Sequence, residues 1–519
     1  MFFGTPSALA AWSLLGLAAC GGDGGSTTGG GDPGSWMAGV FAPSSTYAAQ
    51  CAAPRTGNDP TTGRPFPDTR GSTVAENNWL RSWTNELYLW YREVSDRNPA
   101  SYSTADYFDL LKTSATTASG NPKDRFHFTY PTTEWVALAQ SGVEAGYGAQ
   151  WVLVSSRPPR QVLVAYTEPG SPATAAGLAR GAEVLTVDGV DLVNAGDSAS
   201  IDRLNAGLFP AAGGTHSFSI LDAGSAAPRT VTMTATNVTS TPVQSVETIR
   251  VPGGTVGYML FNDHIATAEP LLVSAFGRLA EAGVSDLVLD VRYNGGGYLD
   301  IASEVAYMVA GAGATAARTF ERSTFNDKNP TRNPVTGAAL SSVPFHATTQ
   351  GFSGPSGQAL PSLNLSRVVV LTSANTCSAS ESIMNGLRGV GVTVIQIGAT
   401  TCGKPYGFYP ADNCGTTYFS IQFQGTNDQG FGDYPDGFSP ANAPGNAGVL
   451  MPGCSVADDF TRELGDPAER RLAAALGYLI DEGCPPATGS ARAQAARDPS
   501  ATEGLTPKSP WRENRIMRR

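Results

Sequence analysis

The sequence predicts a multi-domain α/β protein: a small helical region, a β-rich module, and a larger core in which strands and helices alternate. Three observations point there. The chain has 519 residues, more than one ordinary domain holds. Apolar residues recur at helical spacing between 79 and 111, whereas residues from about 141 to 237 alternate in short runs bounded by Gly and Pro. From about 257 to 483, apolar strands and amphipathic helices follow one another in turn.

Composition narrows the function. Hydrophobic residues make up 41% and charged residues 15%, with a net charge of −11. No basic run is interleaved with aromatics, which argues against nucleic-acid binding. The apolar run 8–19 is too short to span a bilayer as a mature helix. It ends in Leu17-Ala18-Ala19-Cys20, which resembles a bacterial lipobox. No Lys or Arg precedes that run, which fits a start codon further upstream. The resemblance implies a signal peptide over 1–20 and lipidation of Cys20. The exported chain would then be anchored to the cell envelope on the periplasmic side, at the outer membrane. Residues 21–46 read as a flexible tether rich in Gly, Ser and Thr. Six further cysteines (Cys51, Cys377, Cys402, Cys414, Cys454 and Cys484) suit an oxidising compartment. No CxxC pair occurs and the four histidines are scattered, so no zinc site is expected. The expected bridges are Cys402–Cys414 and Cys454–Cys484, with Cys377 either free or bridged.

Residues 47–140 form the helical region, where Trp79, Trp83, Trp90 and Tyr107 read as core rather than as a ligand platform. Within 141–238, Gly170-Ser171-Pro172-Ala173, Ala176-Gly177-Leu178, Gly181-Ala182 and the Asp188-Gly189 hairpin follow in an order that resembles a PDZ domain. That resemblance implies that Gly146, Tyr147, Gly148 and Ala149 form a loop whose N–H groups cradle a chain terminus, the peptide adding as a strand to the sheet edge. The alternative is a module that only positions its neighbours. The core spans 243–484. Residues 368–371 form a buried strand and 416–423 an outer one. Asp466-Pro467-Ala468-Glu469 reads as the cap of the last helix. Residues 326–358 read as a long loop and 485–519 as a disordered tail.

The chemistry concentrates in three strand-to-helix turns. After 368–371 comes Thr372-Ser373-Ala374-Asn375-Thr376-Cys377-Ser378-Ala379-Ser380-Glu381. A hydroxyl at a helix start is exposed by the turn, and the unpaired N–H groups there favour developing negative charge. Such a serine needs a base within reach. Lys404, in the loop after the next strand, reaches the same side of a parallel sheet. It acts as a base near neutrality only when burial lowers its pKa. The third turn, Arg292-Tyr293-Asn294-Gly295-Gly296-Gly297, lacks the marks of a phosphate-binding loop and suits an oxyanion better. Taken alone, Ser378-x-x-Glu381 is equally a capping box. His264 is the rival base.

Together these turns resemble the carboxy-terminal processing peptidases, or tail-specific proteases. The likeness runs from about residue 78 to 478 and matches Ser378-Ala379-Ser380-Glu381, Gly403-Lys404 and Arg292-x-Asn294-x-Gly296-Gly297. It implies a crotonase-like (ClpP/crotonase-type) core, Ser378 as nucleophile, Lys404 as base, and an oxyanion hole made by the Gly296 and Ala379 N–H groups. Glu381 would orient Lys404 or cap the helix. No metal or other cofactor is implied, and the partners would be proteins or peptides with accessible C-terminal tails. Two features depart from the family pattern: Cys377 ahead of the nucleophile, and a Ser-to-Lys interval one residue longer. A Cys377–Cys402 bridge would lie against the site and could gate it. The alternative function is a non-catalytic protein on the same core that binds an apolar ligand or a peptide tail.

Overall fold

The computed structural model describes residues 36–486 except 60–61, 156–157, 444 and 446–447, together with the backbone of Arg515–Met517. The expected signal peptide, Cys20 and most of the tail after 485 lie outside the described residues. Residues 36–46, expected as tether, instead pack on the helical region. The Gly39 N–H donates to Asp96 Oδ2 at 2.7 Å, and Ser44 Oγ donates to Glu86 Oε2 at 2.6 Å.

The helical region holds α1 (Thr73–Leu87), α2 (Thr104–Leu110) and α3 (Thr132–Ser141). Ser72 caps α1 by accepting from the Ala75 N–H. Trp79 and Trp83 stack at 5.4 Å and pack with Tyr107, Phe108 and Tyr418, so the aromatic stripe is core.

The β-rich module contains β1 (Ala149–Ser155), β2 (Gln161–Thr167), α4 (Pro172–Ala175), β3 (Glu183–Val187), β4 (Val190–Asp191), α5 (Ser198–Leu208), β5 (Thr215–Leu221) and β6 (Arg229–Thr234). Its antiparallel sheet has the order β6-β5-β3-β2-β1, with β4 paired to β3, so among the described residues β1 has an open edge. Val162, Val164, Val184, Phe218 and Ile220 alternate inward against Leu204 of α5.

The core begins with β7 (Val243–Val251) and β8 (Gly254–Phe261), followed by α6 (Ala268–Glu281), β9 (Asp286–Asp290), β10 (Gly296–Tyr298) and α7 (Leu299–Thr315). It continues with β11 (Arg367–Thr372), α8 (Ala379–Gly389), β12 (Thr393–Gly398), β13 (Gly453–Ser455) and α9 (Arg470–Asp481). The sheet order is β7-β8-β9-β11-β12-β13, parallel except for β7. Phe261, Leu287, Leu289, Val368 and Val370 share a cluster with α6, α7 and α8, whereas Tyr258, Leu260, Val288, Val369 and Leu371 pack with α9. Burial on both faces is why β9 and β11 read as unbroken apolar runs.

Four sequence expectations are corrected. Glu469, not Asp466, caps α9 by accepting from the Leu472 N–H, because Arg292 holds its carboxylate at that position. Asp466 accepts from the Ala468 N–H in the preceding turn. The outer strand divides: Thr416–Phe419 pairs with Phe128–Pro131, and Phe423–Thr426 with Thr319–Phe325. The bridges are Cys51–Cys414, Cys377–Cys402 and Cys454–Cys484. Cys414 is carried to the N-terminal region by the strands around it, which removes the expected Cys402–Cys414 pair. Within the tail, Arg515–Met517 pairs in parallel with β10. Among the described residues no helix is long and apolar enough to cross a membrane.

Candidate active site

The loops that follow β9, β11 and β12 leave the carboxyl ends of neighbouring parallel strands, and the chain ties them together at several points. The Cys377 N–H and Ser380 Oγ both donate to the Asn294 carbonyl at 3.2 Å. The Cys402 N–H donates to the Thr376 carbonyl at 3.0 Å. The Cys377–Cys402 disulfide joins the two later loops across 5.1 Å between Cα atoms. Ser378, Lys404 and the glycine turn, far apart in sequence, thus meet in one place.

Ser378 stands at the head of α8 with φ 60° and ψ −119°, a conformation that L-residues avoid. The sharp turn leaves Ser378 Oγ without a hydrogen-bond partner, and the residue is wholly buried. The Ala379 N–H, first in α8, cannot be satisfied by the helix itself.

Glu381 ties the nucleophile's turn to the lysine's loop. Its Oε2 accepts from the Ser378 N–H at 3.0 Å and from the Lys404 N–H at 2.8 Å. Its Oε1 accepts from the Gly403 N–H at 2.8 Å and from Thr401 Oγ1 at 2.5 Å. Burial pushes the carboxyl above its usual range, and these four bonds only partly oppose that. Glu381 therefore binds the backbone of the lysine loop.

Lys404 is wholly buried, with Nζ 4.2 Å from the Phe408 ring centre and 5.0 Å from that of Phe126. Gly403 beside it has φ +82°, and a Cβ there would lie 2.3 Å from the Pro435 carbonyl oxygen. Only glycine lets the loop pass.

The glycine turn departs from expectation at one atom. The Gly296 N–H, expected to face an oxyanion, donates to Asn294 Oδ1 at 2.9 Å. The same oxygen lies 3.0 Å from His264 Nδ1, which donates to it, while Asn294 Nδ2 donates to the Phe261 carbonyl. Burial pushes the rival base His264 down to about 3, so it is neutral, with Nδ1 holding Asn294. Asn294 thus organises the turn, a role not assigned from the sequence although the residue lay within the Arg-x-Asn run. Phe126 and Phe408 carry no sequence signal; only the tertiary structure brings them to Lys404.

Cys377, Glu381 and Cys402 converge with a geometry that could admit a metal, but the two sulfurs are bonded to each other. In the β-rich module, Tyr147, Ala149, Trp151, Leu208, Phe209 and Val238 line a pocket between the start of β1 and the end of α5, with Gly146 and Gly148 at its wall. Tyr147 Oη donates to the Gly207 carbonyl at 3.0 Å. None of the lining residues belongs to the three core loops.

Residues 255–407 match peptidase family S41. A carboxyl-terminal-processing protease of Picosynechococcus sp. is 26% identical over 268 residues, covering 51% of this chain and 56% of the relative. Another, of Synechocystis sp., is 32% identical over 137 residues, covering 26% of this chain and 31% of the relative. In each case the match covers less than two thirds of the relative's length. A Bacteroides fragilis protein assigned to the S41 proteases superposes with TM-score 0.58 at 23% identity, covering 80% of this chain and 97% of that one, and so shares the fold. Residues 255–407 thus carry the likeness to peptidase family S41, and the chain is similar to carboxyl-terminal-processing proteases.

Proposed function

We propose that this chain is a serine peptidase that hydrolyses peptide bonds through Ser378 and Lys404. The observation that carries the reading is that one carboxylate oxygen, Glu381 Oε2, accepts from the main-chain N–H groups of both residues. A lysine serves as base only in its neutral form, which removal from water favours. Neutral Lys404 takes the proton of Ser378 Oγ as that oxygen attacks the peptide carbonyl. The Ala379 N–H meets the oxyanion, and the Gly296 N–H joins only by leaving Asn294 Oδ1. The protonated lysine then returns its proton to the leaving amine, and water repeats the sequence on the acyl-enzyme. Because both side chains are buried, a substrate enters only when the covering segments part. An extended backbone suits the site: Arg515–Met517 already lies in parallel register on β10.

The crotonase-like core and the PDZ-like module belong to the same reading. The open edge of β1 and the pocket beside it fit an extended peptide tail held by Gly146, Tyr147, Gly148 and Ala149. Tails of exported proteins are the proposed substrates, and lipidated Cys20 the proposed anchor at the outer membrane. The test is cleavage of an unfolded protein by the wild type, Ser378→Ala and Lys404→Ala. Both variants should lose roughly 1,000-fold or more in kcat while remaining folded. Equal cleavage by all three would remove the dyad.

A further inference from the structure

Two sulfurs at this site take no part in the dyad chemistry. Cys377 immediately precedes Ser378, and Cys402 lies two residues before Lys404. Their disulfide is therefore a covalent strap between the two loops whose separation the chemistry depends on. Cys377 is wholly buried, while Cys402 is partly exposed. The strap lies against the shared carboxylate: Cys402 Sγ is 3.3 Å from Glu381 Oε2, the atom that accepts from the Ser378 and Lys404 N–H groups. A disulfide sulfur carries no proton, so in the bridged form Oε2 serves those two N–H groups. A thiol at Cys402 would be a third donor to the same oxygen. Ser378 also holds its disfavoured φ of 60° between two anchors, the strap on one side and Glu381 on the other. Cutting one anchor lets that turn relax toward an ordinary conformation.

We infer that Cys377 and Cys402 are positioning residues whose disulfide keeps Ser378 and Lys404 in working geometry, so that a dithiol reductant switches the site off reversibly. This rests on the peptidase reading. In the switching step a thiolate of the dithiol attacks Cys402 Sγ, and the sulfur–sulfur bond breaks to release Cys377 as thiolate, which takes a proton from water. The second thiol of the reductant then displaces Cys402. Two protein thiols and one oxidised dithiol result, a two-electron exchange.

The test uses the full chain. Cleavage of an unfolded protein is measured before dithiothreitol, after it, and after reoxidation with oxidised glutathione, with alkylation and mass spectrometry reporting each cysteine. Reduction at Cys377 and Cys402 should lower kcat roughly 10- to 100-fold with KM little changed, and reoxidation should restore it. Cys377→Ser/Cys402→Ser should be slow and indifferent to dithiol. Cys51→Ser/Cys414→Ser and Cys454→Ser/Cys484→Ser should keep both the activity and the dithiol response. Hydrogen exchange over 373–381 and 399–405 should rise on reduction, which needs no activity to read. The inference fails if kcat stays within about twofold once both cysteines are alkylated, or if exchange in both loops is unchanged. An oxidised chain that cleaves nothing removes the peptidase reading instead, and exchange alone then decides whether the strap holds the loops.

Discussion

Two groups of buried charge stand beside the carboxyl ends of the core strands, and they are satisfied in different ways. Around Arg292 the chain sets charge against charge. Its guanidinium donates to Asp290 at 3.0 Å, to Asp458 at 2.7 Å and to both oxygens of Glu469 at 3.0 Å. Arg180 reaches in from the β-rich module to Asp458 at 2.6 Å and to Tyr293 Oη at 2.7 Å. Around Glu381 the donors are neutral: three main-chain N–H groups and a threonine hydroxyl. The nearby amine, Lys404 Nζ, faces aromatic rings. The ion pairs make a rigid frame, whereas Lys404 lies against the faces of Phe126 and Phe408. The first arrangement ties the β-rich module to the core beside the Asn294 turn, and the second is the one to which the proposed reaction assigns proton transfer.

The largest break in that comparison is Arg292→Met, which keeps the volume and takes the ion-pair partner from Asp290 and Glu469, while Asp458 keeps Arg180. Removing one partner of a buried ion cluster costs about 3–5 kcal/mol. Urea unfolding at neutral pH should show a loss of that size, and a loss below about 1 kcal/mol would mean that the cluster is not structural. Activity should fall mainly through the folded fraction.

The contrast also shows what the sequence could convey. The approach of Ser378, Lys404 and the glycine turn was legible because each follows an apolar strand, and parallel order places their loops on one side. The Arg292 cluster was not legible. Asp458, Glu469 and Arg180 come from three distant segments, and no periodicity marks a long-range ion pair. The Cys51–Cys414 bridge was hidden for the same reason, its cysteines being 363 residues apart. The cap of α9 was misassigned because Asp466-Pro467 is the better local signal, yet Arg292 draws Glu469 into the cap. Glu381 was seen, but whether it serves Lys404 through Nζ or through the main chain is decided by loop geometry that one motif does not carry.

A smaller break is Glu381→Gln. A glutamine offers one acceptor oxygen and one NH2 group where the carboxylate now meets four donors, so two of those donors would face an NH2 group. The stability cost should be about 1–3 kcal/mol. Catalysis should suffer more, with kcat falling roughly 10- to 100-fold as the Ser378 and Lys404 backbones drift apart, and KM little changed. Steady-state kinetics beside urea unfolding separates the two effects. A fall in activity fully explained by unfolding would reduce Glu381 to a helix cap.

The finest distinction is the sign of the pH dependence. Burial pushes the Asp458 carboxyl up, but Arg471, Arg180 and Arg292 outweigh it and its pKa lies below the usual range; Glu469, buried against Arg292, shifts the same way. Groups lowered in the folded state contribute stability that is present above their ordinary pKa of about 4 and lost as pH falls through the depressed values. Glu381 is raised, because burial there outweighs neutral donors. Its contribution is present below its ordinary pKa and lost as pH rises through the folded one. Urea unfolding between pH 3 and pH 7 should therefore give opposite slopes for the two substitutions. The gap between wild type and Arg292→Met should narrow as acid is added, while the gap between wild type and Glu381→Gln should widen. Parallel slopes would mean that Glu381 is held by a cation after all, and the division between frame and chemistry would fall.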